Sequence, residues 1–157
     1  MVFAGQVEPG AWTKIQASKG ASAITKGDIC SLSSNKWIRA PTNAKGPFAV
    51  ALETKASGDP TISLLLEGIV YLVANGAVNP NARIKVSGST AGQFVAYVAT
   101  TLSGSVTTAD VIAARDEFLI PCGQYLAHEN EGDGLSEATA AADTEIVRCW
   151  FKGLGGA

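Results

Sequence analysis

The stretch that most constrains this chain is 61–86, which reads TISLLLEGIVYLVANGAVNPNARIKV. It contains two apolar runs rich in β-branched residues, 62–66 and 69–74, which are joined by Glu-Gly and followed by Asn-Gly. Short runs of this kind, bounded by glycine, asparagine and proline, are typical of consecutive strands rather than helices. The stretch therefore predicts the centre of an antiparallel sheet.

The run 69–74 is apolar on both of its alternating faces, because Ile69, Tyr71 and Val73 alternate with Val70, Leu72 and Ala74. The run 92–99 has the same two-sided pattern. One face of a small antiparallel sheet is normally exposed to water, so something must cover the second apolar face. We expect this cover to be another copy of the chain, with a subunit interface at Val70, Leu72, Val95 and Tyr97.

Length and composition favour an all-β protein with a single β-rich domain over residues 23–157. The chain has 157 residues, 17 glycines and only 17% charged residues, and this length is enough to bury a sizeable core without disulfides. We predict a small β-sandwich or barrel with an extended N-terminal arm and at most one short helix, at about 108–117 with Thr108 as its N-cap. The other predicted strands lie within 24–33, 36–40, 47–53, 83–87, 118–127 and 144–152.

Residues 1–22 have little periodicity, and glycine and proline interrupt them. They nevertheless carry apolar anchors at Val2, Phe3 and Trp12. Such a segment is either a frayed terminus or an arm that becomes ordered on a partner. Because exposed aromatic anchors are unfavourable in water, we expect a docking arm that adds a strand to a neighbouring sheet edge.

Charge argues against nucleic acid as a partner. The net charge is −2 and the basic residues form no cluster, whereas nucleic-acid binding needs a concentrated basic surface. The charge is uneven, since residues 1–100 carry nine Lys/Arg and five Asp/Glu while residues 101–157 carry three and nine. This asymmetry either reflects solvated surfaces or steers head-to-tail packing of subunits. No apolar run is long enough to span a membrane and no signal peptide is evident, so we expect synthesis in the cytoplasm.

The search for catalytic chemistry predicts no active site, no cofactor and no metal. The single histidine, His128, has no nucleophile motif beside it, and no phosphate-binding glycine loop is present. The acidic loop 129–137 has alternating oxygen ligands that could hold calcium, but it lacks the spacing of an EF-hand. Three cysteines lie at no metal-ligand spacing, and we expect Cys30 and Cys149 to be buried, inert thiols.

Several runs resemble the small capsid decoration proteins of tailed bacteriophages, which are also called head-stabilising or cement proteins. The similar runs are GDICSL, GPFAVALE, ISLLLEGIVYLVANGAVNPNARIKVS and AGQFVAY, within residues 24–100. The family pattern of a Gly-Asp turn and two following strands is matched by Gly27-Asp28, by 50–52 and by 66–72. The chain departs from the pattern at Asn81-Ala82, where the family has Gly followed by Asp.

The resemblance implies a β-rich virion protein, commonly a homotrimer, that lies on the outer capsid surface at local three-fold positions. There it would bridge copies of the major capsid protein and stabilise the head without catalysis, with residues 1–22 as the arm that contacts the capsid. An alternative is a β-rich tail or fibre module that binds a glycan or another virion protein, which would need an exposed Trp or Tyr on a strand face. A further alternative is an enzyme that uses His128 and the acidic loop.

Overall fold

The computed structural model describes residues 3–10, 12–99, 104–116, 119–127, 142 and 144–153. His128 and the acidic loop 129–137 lie outside the described residues, as does Val2. Nine strands and one helix lie within the described residues: β1 Thr13–Ser18, β2 Ile29–Ser33, β3 Lys36–Arg39, β4 Phe48–Ala51, β5 Thr61–Val73, β6 Arg83–Val86, β7 Phe94–Ala96, α1 Thr108–Asp116, β8 Pro121–Ala127 and β9 Ile146–Lys152.

The strands form one curled antiparallel sheet in the order β3-β2-β4-β5-β9-β8-β6-β7, and β1 also pairs with β5. The prediction of a small all-β fold with one short helix is therefore confirmed. The strands predicted within 24–33 and 36–40 are found as β2 and β3. They pair as a hairpin whose turn residues Ser34 and Asn35 adopt positive φ angles of 49° and 61°. The helix is found where it was predicted.

The two apolar runs of the central stretch form a single strand, β5, rather than two strands separated by a turn. The chain continues through Glu67-Gly68 and stays paired along its whole length. The Glu-Gly dipeptide ends no strand because both residues stay paired with neighbouring strands. Gly68 has a positive φ of 155°, which favours glycine, and the space left by its missing side chain is filled by Trp12, as described below. This 13-residue strand connects the two halves of the sheet.

The first half of β5 belongs to a ring of five strands. β1 pairs with β5 and also touches β3, where Lys19 bridges to Trp37 and the Gly20 N–H donates to the Trp37 carbonyl. The ring continues through β2 and β4 back to β5. All five strands contribute to one apolar cluster, which contains Ile15, Ala17, Ile24, Cys30, Trp37, Ala49, Ala51, Ile62, Leu64 and Leu66.

The second half of β5 belongs to the other end of the sheet, where β9, β8, β6 and β7 follow in order. β7 returns to β5 through a bridge between Ala74 and Phe94, and the Asn75 N–H donates to the Phe94 carbonyl. The larger apolar cluster is made here and extends to β2 and β4; its largest side chains are Phe48, Leu72, Phe94, Tyr125 and Phe151.

The three cysteines are buried and free, which confirms the prediction for Cys30 and Cys149. Burial raises the pKa of the Cys30 and Cys122 thiols to about 12, so both stay protonated near neutral pH. Among the helices of the described residues, none combines the length and the apolar character that a membrane span requires.

Candidate functional site

The second apolar face of 69–74 is covered within one chain. Val70 and Leu72 have exposed fractions of 0% and 1%, and both belong to the larger apolar cluster. A second subunit could reach them only if the core opened. The two-sided pattern therefore does not require a subunit interface at these two residues. This corrects the prediction of a subunit interface at Val70 and Leu72.

The N-terminal segment, which we define as the described residues between 3 and 20, pairs along one edge of β5. The Gly5 N–H donates to the Tyr71 carbonyl at 2.8 Å, and the Tyr71 N–H donates to the Gln6 carbonyl at 3.0 Å. Farther along the segment, β1 pairs with 61–67. The segment does add a strand to a sheet edge, but in this structure the sheet is its own.

Trp12 anchors the middle of the N-terminal segment over Gly68. A Cβ atom on Gly68 would lie 2.7 Å from the Trp12 Cγ, so only glycine leaves room for the indole there. Trp12 also meets Trp150 edge to face, with ring centroids 5.9 Å apart, and its Nε1 donates to the Glu8 carbonyl at 2.7 Å. The indole that was predicted to contact a capsid is thus engaged inside its own chain.

A partly buried ion pair holds the start of the segment on the sheet. The Arg148 guanidinium donates to both carboxylate oxygens of Glu8, with the Nη2–Oε2 distance at 2.8 Å. The Tyr71 hydroxyl donates to the same carboxylate at 3.4 Å. These contacts, led by the hydrogen bond from Arg148, hold the pKa of Glu8 below its usual value. Residues 8 and 148 are thereby joined across almost the whole length of the chain.

We expect the substitution Glu8→Gln to destabilise the protein by about 1 kcal/mol near pH 7, the upper end for a pair with this exposure. Because the folded-state pKa of Glu8 is lowered, its contribution is present above the unfolded value of 4.5 and is lost as the pH falls through the folded value. Urea unfolding of the wild type and of Glu8→Gln should therefore show a difference in the free energy of unfolding that decreases from neutral pH toward pH ~3.

Glu67→Gln is the matched control, since Glu67 is a half-buried glutamate on β5, the strand with which the segment pairs, and forms no ion pair among the described residues. A Glu8→Gln protein as stable as the wild type at neutral pH would show that this pair does not fasten the segment.

Of the predicted contact residues, Phe3 is exposed, and Trp12, Val95 and Tyr97 are half-buried. Phe3 is 59% exposed, and its N–H is held by the Gln6 side chain at 3.2 Å. Val95 and Tyr97 are half-buried, and the Arg83 guanidinium lies 5.2 Å from the centre of the Tyr97 ring. The structure brings Trp12 together with none of these three. A capsid contact at Phe3 and a subunit contact at Val95 and Tyr97 stay predictions.

A second surface, which the sequence reasoning missed, lies in the β7–β8 connection, the described residues between 97 and 120. Of the seven large apolar side chains that are exposed in the described part of the chain, five belong to it: Val98, Val106, Val111, Ile112 and Leu119. None of the described side chains of α1 is buried, and the helix makes at most marginal contact with the strands.

A local cap defines the start of α1. The Thr107 Oγ1 accepts from the Asp110 N–H at 3.3 Å, and the Asp110 carboxylate accepts from the Thr107 N–H at 2.7 Å. This reciprocal arrangement is a capping box, so the N-cap is Thr107 and not Thr108, because the acid must stand three residues after the cap. The Thr107 bonds lower the pKa of Asp110. The Thr-x-x-Asp spacing was the sequence signal that could have located the cap.

One carboxylate is buried among the described residues. Asp28 is buried, accepts from the Thr25 N–H at 2.8 Å and pairs with the Arg39 guanidinium at 3.1 Å. Desolvation raises its pKa in spite of these partners. No group of three or more potential metal ligands occurs in the part of the chain that the structure describes.

The described residues present two surfaces with exposed apolar side chains. One is the tip of the N-terminal segment at Phe3, and the other is the exposed helix of the β7–β8 connection. No protein-family model matches this sequence, and no curated protein is similar enough to it to indicate a family.

Proposed function

We propose that this protein is a structural virion protein that binds the outer surface of a tailed-phage capsid and stabilises the head without catalysis. It acts as a homotrimer at local three-fold positions and contacts the major capsid protein. The observation that carries the proposal is that the three stretches resembling decoration proteins occupy contacting elements at the centre of the sheet: the turn before β2, then β4, then β5.

The Gly-Asp turn has a clear structural purpose. Gly27 has a φ of 90°, which favours glycine, and a Cβ atom there would lie 2.6 Å from the Ala4 Cβ. Asp28 then closes the turn by accepting from the Thr25 N–H. The turn therefore supports the N-terminal segment directly, and a rigid seat for that segment is what a protein with an adhesive N-terminus needs.

Adhesion of this kind requires no active site. An interface of ordinary size buries ~800 Å² on each partner. Most of the free energy gained from this burial is offset by the translational, rotational and side-chain freedom that is lost on association. Three N-termini held on one trimer bind as a multivalent unit, so each contact can be weak by itself. Since β1 and Trp12 are bound to the chain's own sheet, the part of the predicted arm that is left to contact a capsid is the first few residues, around Phe3.

The test is co-sedimentation with capsids of the encoding phage that lack this protein. We expect the wild type to bind and Phe3→Ser to bind about tenfold or more weakly, because full burial of a phenylalanine is worth ~1.5–3 kcal/mol. Val98→Ser is the matched control, since Val98 is also apolar and exposed. Electron microscopy of decorated particles should show density at the local three-fold positions.

A wild type that does not bind the capsids would overturn the proposal. Equal binding by Phe3→Ser would show that Phe3 makes no contact with the capsid.

The alternative of a tail or fibre module that binds a glycan is favoured by one observation: Trp12 and Trp150 meet on the sheet surface and both keep partial exposure. Trp37 and Tyr71, by contrast, are buried. Binding of this kind would survive Phe3→Ser and be lost with Trp150→Ala.

A further inference from the structure

The helix of the β7–β8 connection lacks the packing that normally stabilises a helix of its length. α1 has nine residues, whereas isolated helices shorter than ~12–15 residues are marginal in water and depend on burial of an apolar face. Here Val111 and Ile112 are 59% and 45% exposed. The capping box at Thr107 fixes where the helix begins, but it does not remove these side chains from water.

The charge distribution indicates what covers the helix. The segment 104–119 carries three acids and one base, and it lies in the acidic part of the chain, residues 101–157, whose formal charge is −6. Residues 1–100 have a formal charge of +4. An acidic, apolar helix and a basic sheet region in one molecule are complementary between copies, and opposite surfaces steer association in one orientation.

The basic part of the chain also offers an exposed apolar side chain. Leu32, at the end of β2, is 42% exposed and lies across from Trp37 of β3. Lys36 is exposed one register position away, and it forms no ion pair among the described residues. The tip of the β2–β3 hairpin thus combines an apolar contact with unneutralised positive charge.

We propose that α1 of one copy docks on the tip of the β2–β3 hairpin of the next copy, with Val111 and Ile112 packing against Leu32 and the net negative charge of the segment attracted to Lys36. The contact is head to tail, since it joins two different surfaces. Such a contact makes a ring when the rotation between neighbouring copies closes and a filament when it does not. The inference rests on the homotrimer in the proposed function but not on the capsid as partner.

The test uses two variants that damage opposite sides of the contact. Val111→Gln/Ile112→Gln removes the apolar surface of the helix while glutamine keeps the helix propensity. Leu32→Glu places a negative charge on the receiving hairpin. Both sites are exposed, so each variant should still unfold cooperatively, at a temperature lower only by the stabilisation that association gives the wild type. In native mass spectrometry at micromolar concentration, the wild type should be trimeric and each variant alone monomeric, with association weakened about tenfold or more.

Mixing the two variants should give one-to-one heterodimers, because the intact helix of the Leu32→Glu protein still fits the intact hairpin of the other variant. These dimers cannot grow into rings, since their remaining surfaces are both damaged. The control Phe3→Glu should stay trimeric, as Phe3 lies on neither surface.

Trimers that persist in the helix variant, or a mixture that yields no heterodimers, would overturn this contact while leaving the proposed trimer intact. A wild type that is monomeric at micromolar concentration would overturn both the contact and the trimer. Capsid binding, measured separately by co-sedimentation, would still decide the adhesive function.

Discussion

Replacement of Gly153 by alanine is expected to lower the free energy of unfolding by about 3 kcal/mol, the upper end of the cost of overpacking. A Cβ atom at this position would lie 1.8 Å from the Phe48 carbonyl oxygen and 2.6 Å from its carbon. Backbone atoms cannot rotate away as a side chain would, so β4 and the end of β9 must separate. That movement breaks the hydrogen bond from the Phe48 N–H to the Gly153 carbonyl.

The measurement is urea unfolding of Gly153→Ala beside Gly58→Ala. Gly58 has a φ of 89° and open space where its Cβ would lie, so its replacement carries a backbone penalty of ~1 kcal/mol and no clash. A Gly153→Ala protein that is no less stable than this control would mean that β4 and β9 do not meet as closely as the structure has them.

The periodicity of the sequence was sufficient to predict most of the strands. Alternation of apolar residues in 83–87 and a turn at Ser34-Asn35 are local signals, because side chains and backbone angles within a few residues determine them. The helix was predictable for the same reason. Glu67-Gly68 looked like a break only because a glycine in a strand commonly marks a turn or a bulge.

The cover of the second apolar face could not be predicted from local pattern. That Val70 and Leu72 face a core within the same chain depends on β9, which lies about 80 residues farther along the sequence. The contact of Trp12 with Gly68 and the pair of Glu8 with Arg148 are likewise nonlocal. A two-sided apolar strand indicates that cover is needed, but not whether the same chain or another supplies it.

The candidate surfaces, too, could be predicted only where a local sequence pattern determines them. Phe3 was identified because an aromatic residue near a terminus is costly in water, and it is exposed. The exposure of Val111 and Ile112 was not predicted, since two adjacent apolar residues in a short helix normally indicate the side that packs on the sheet. They are exposed because α1 lies away from the strands, and this position cannot be predicted from the composition of the helix.

Deletion of residues 1–22 is expected to abolish stable folding, whereas the sequence pattern alone predicts a dispensable arm. The deletion removes β1, which joins β5 to β3 and completes the ring around the smaller apolar cluster. Ile15 and Ala17 pack on that cluster, so their loss exposes apolar surface on several strands. The cost is of the order of 5 kcal/mol, comparable to the whole stability of a small domain.

Deletion of residues 1–4 is the matched experiment, because it removes Phe3 and leaves Glu8, Trp12 and β1 in place. We expect this shorter protein to keep the wild-type unfolding midpoint within a few degrees in circular dichroism and to lose affinity for capsids, since the backbone hydrogen bonds from the segment to β5 begin at Gly5 and only the packing of Ala4 on Gly27 is lost. A cooperatively folded protein that lacks residues 1–22 would contradict the assignment of β1 to the core. Because the anchor of the segment and its exposed tip are separate residues, the two deletions separate folding from adhesion.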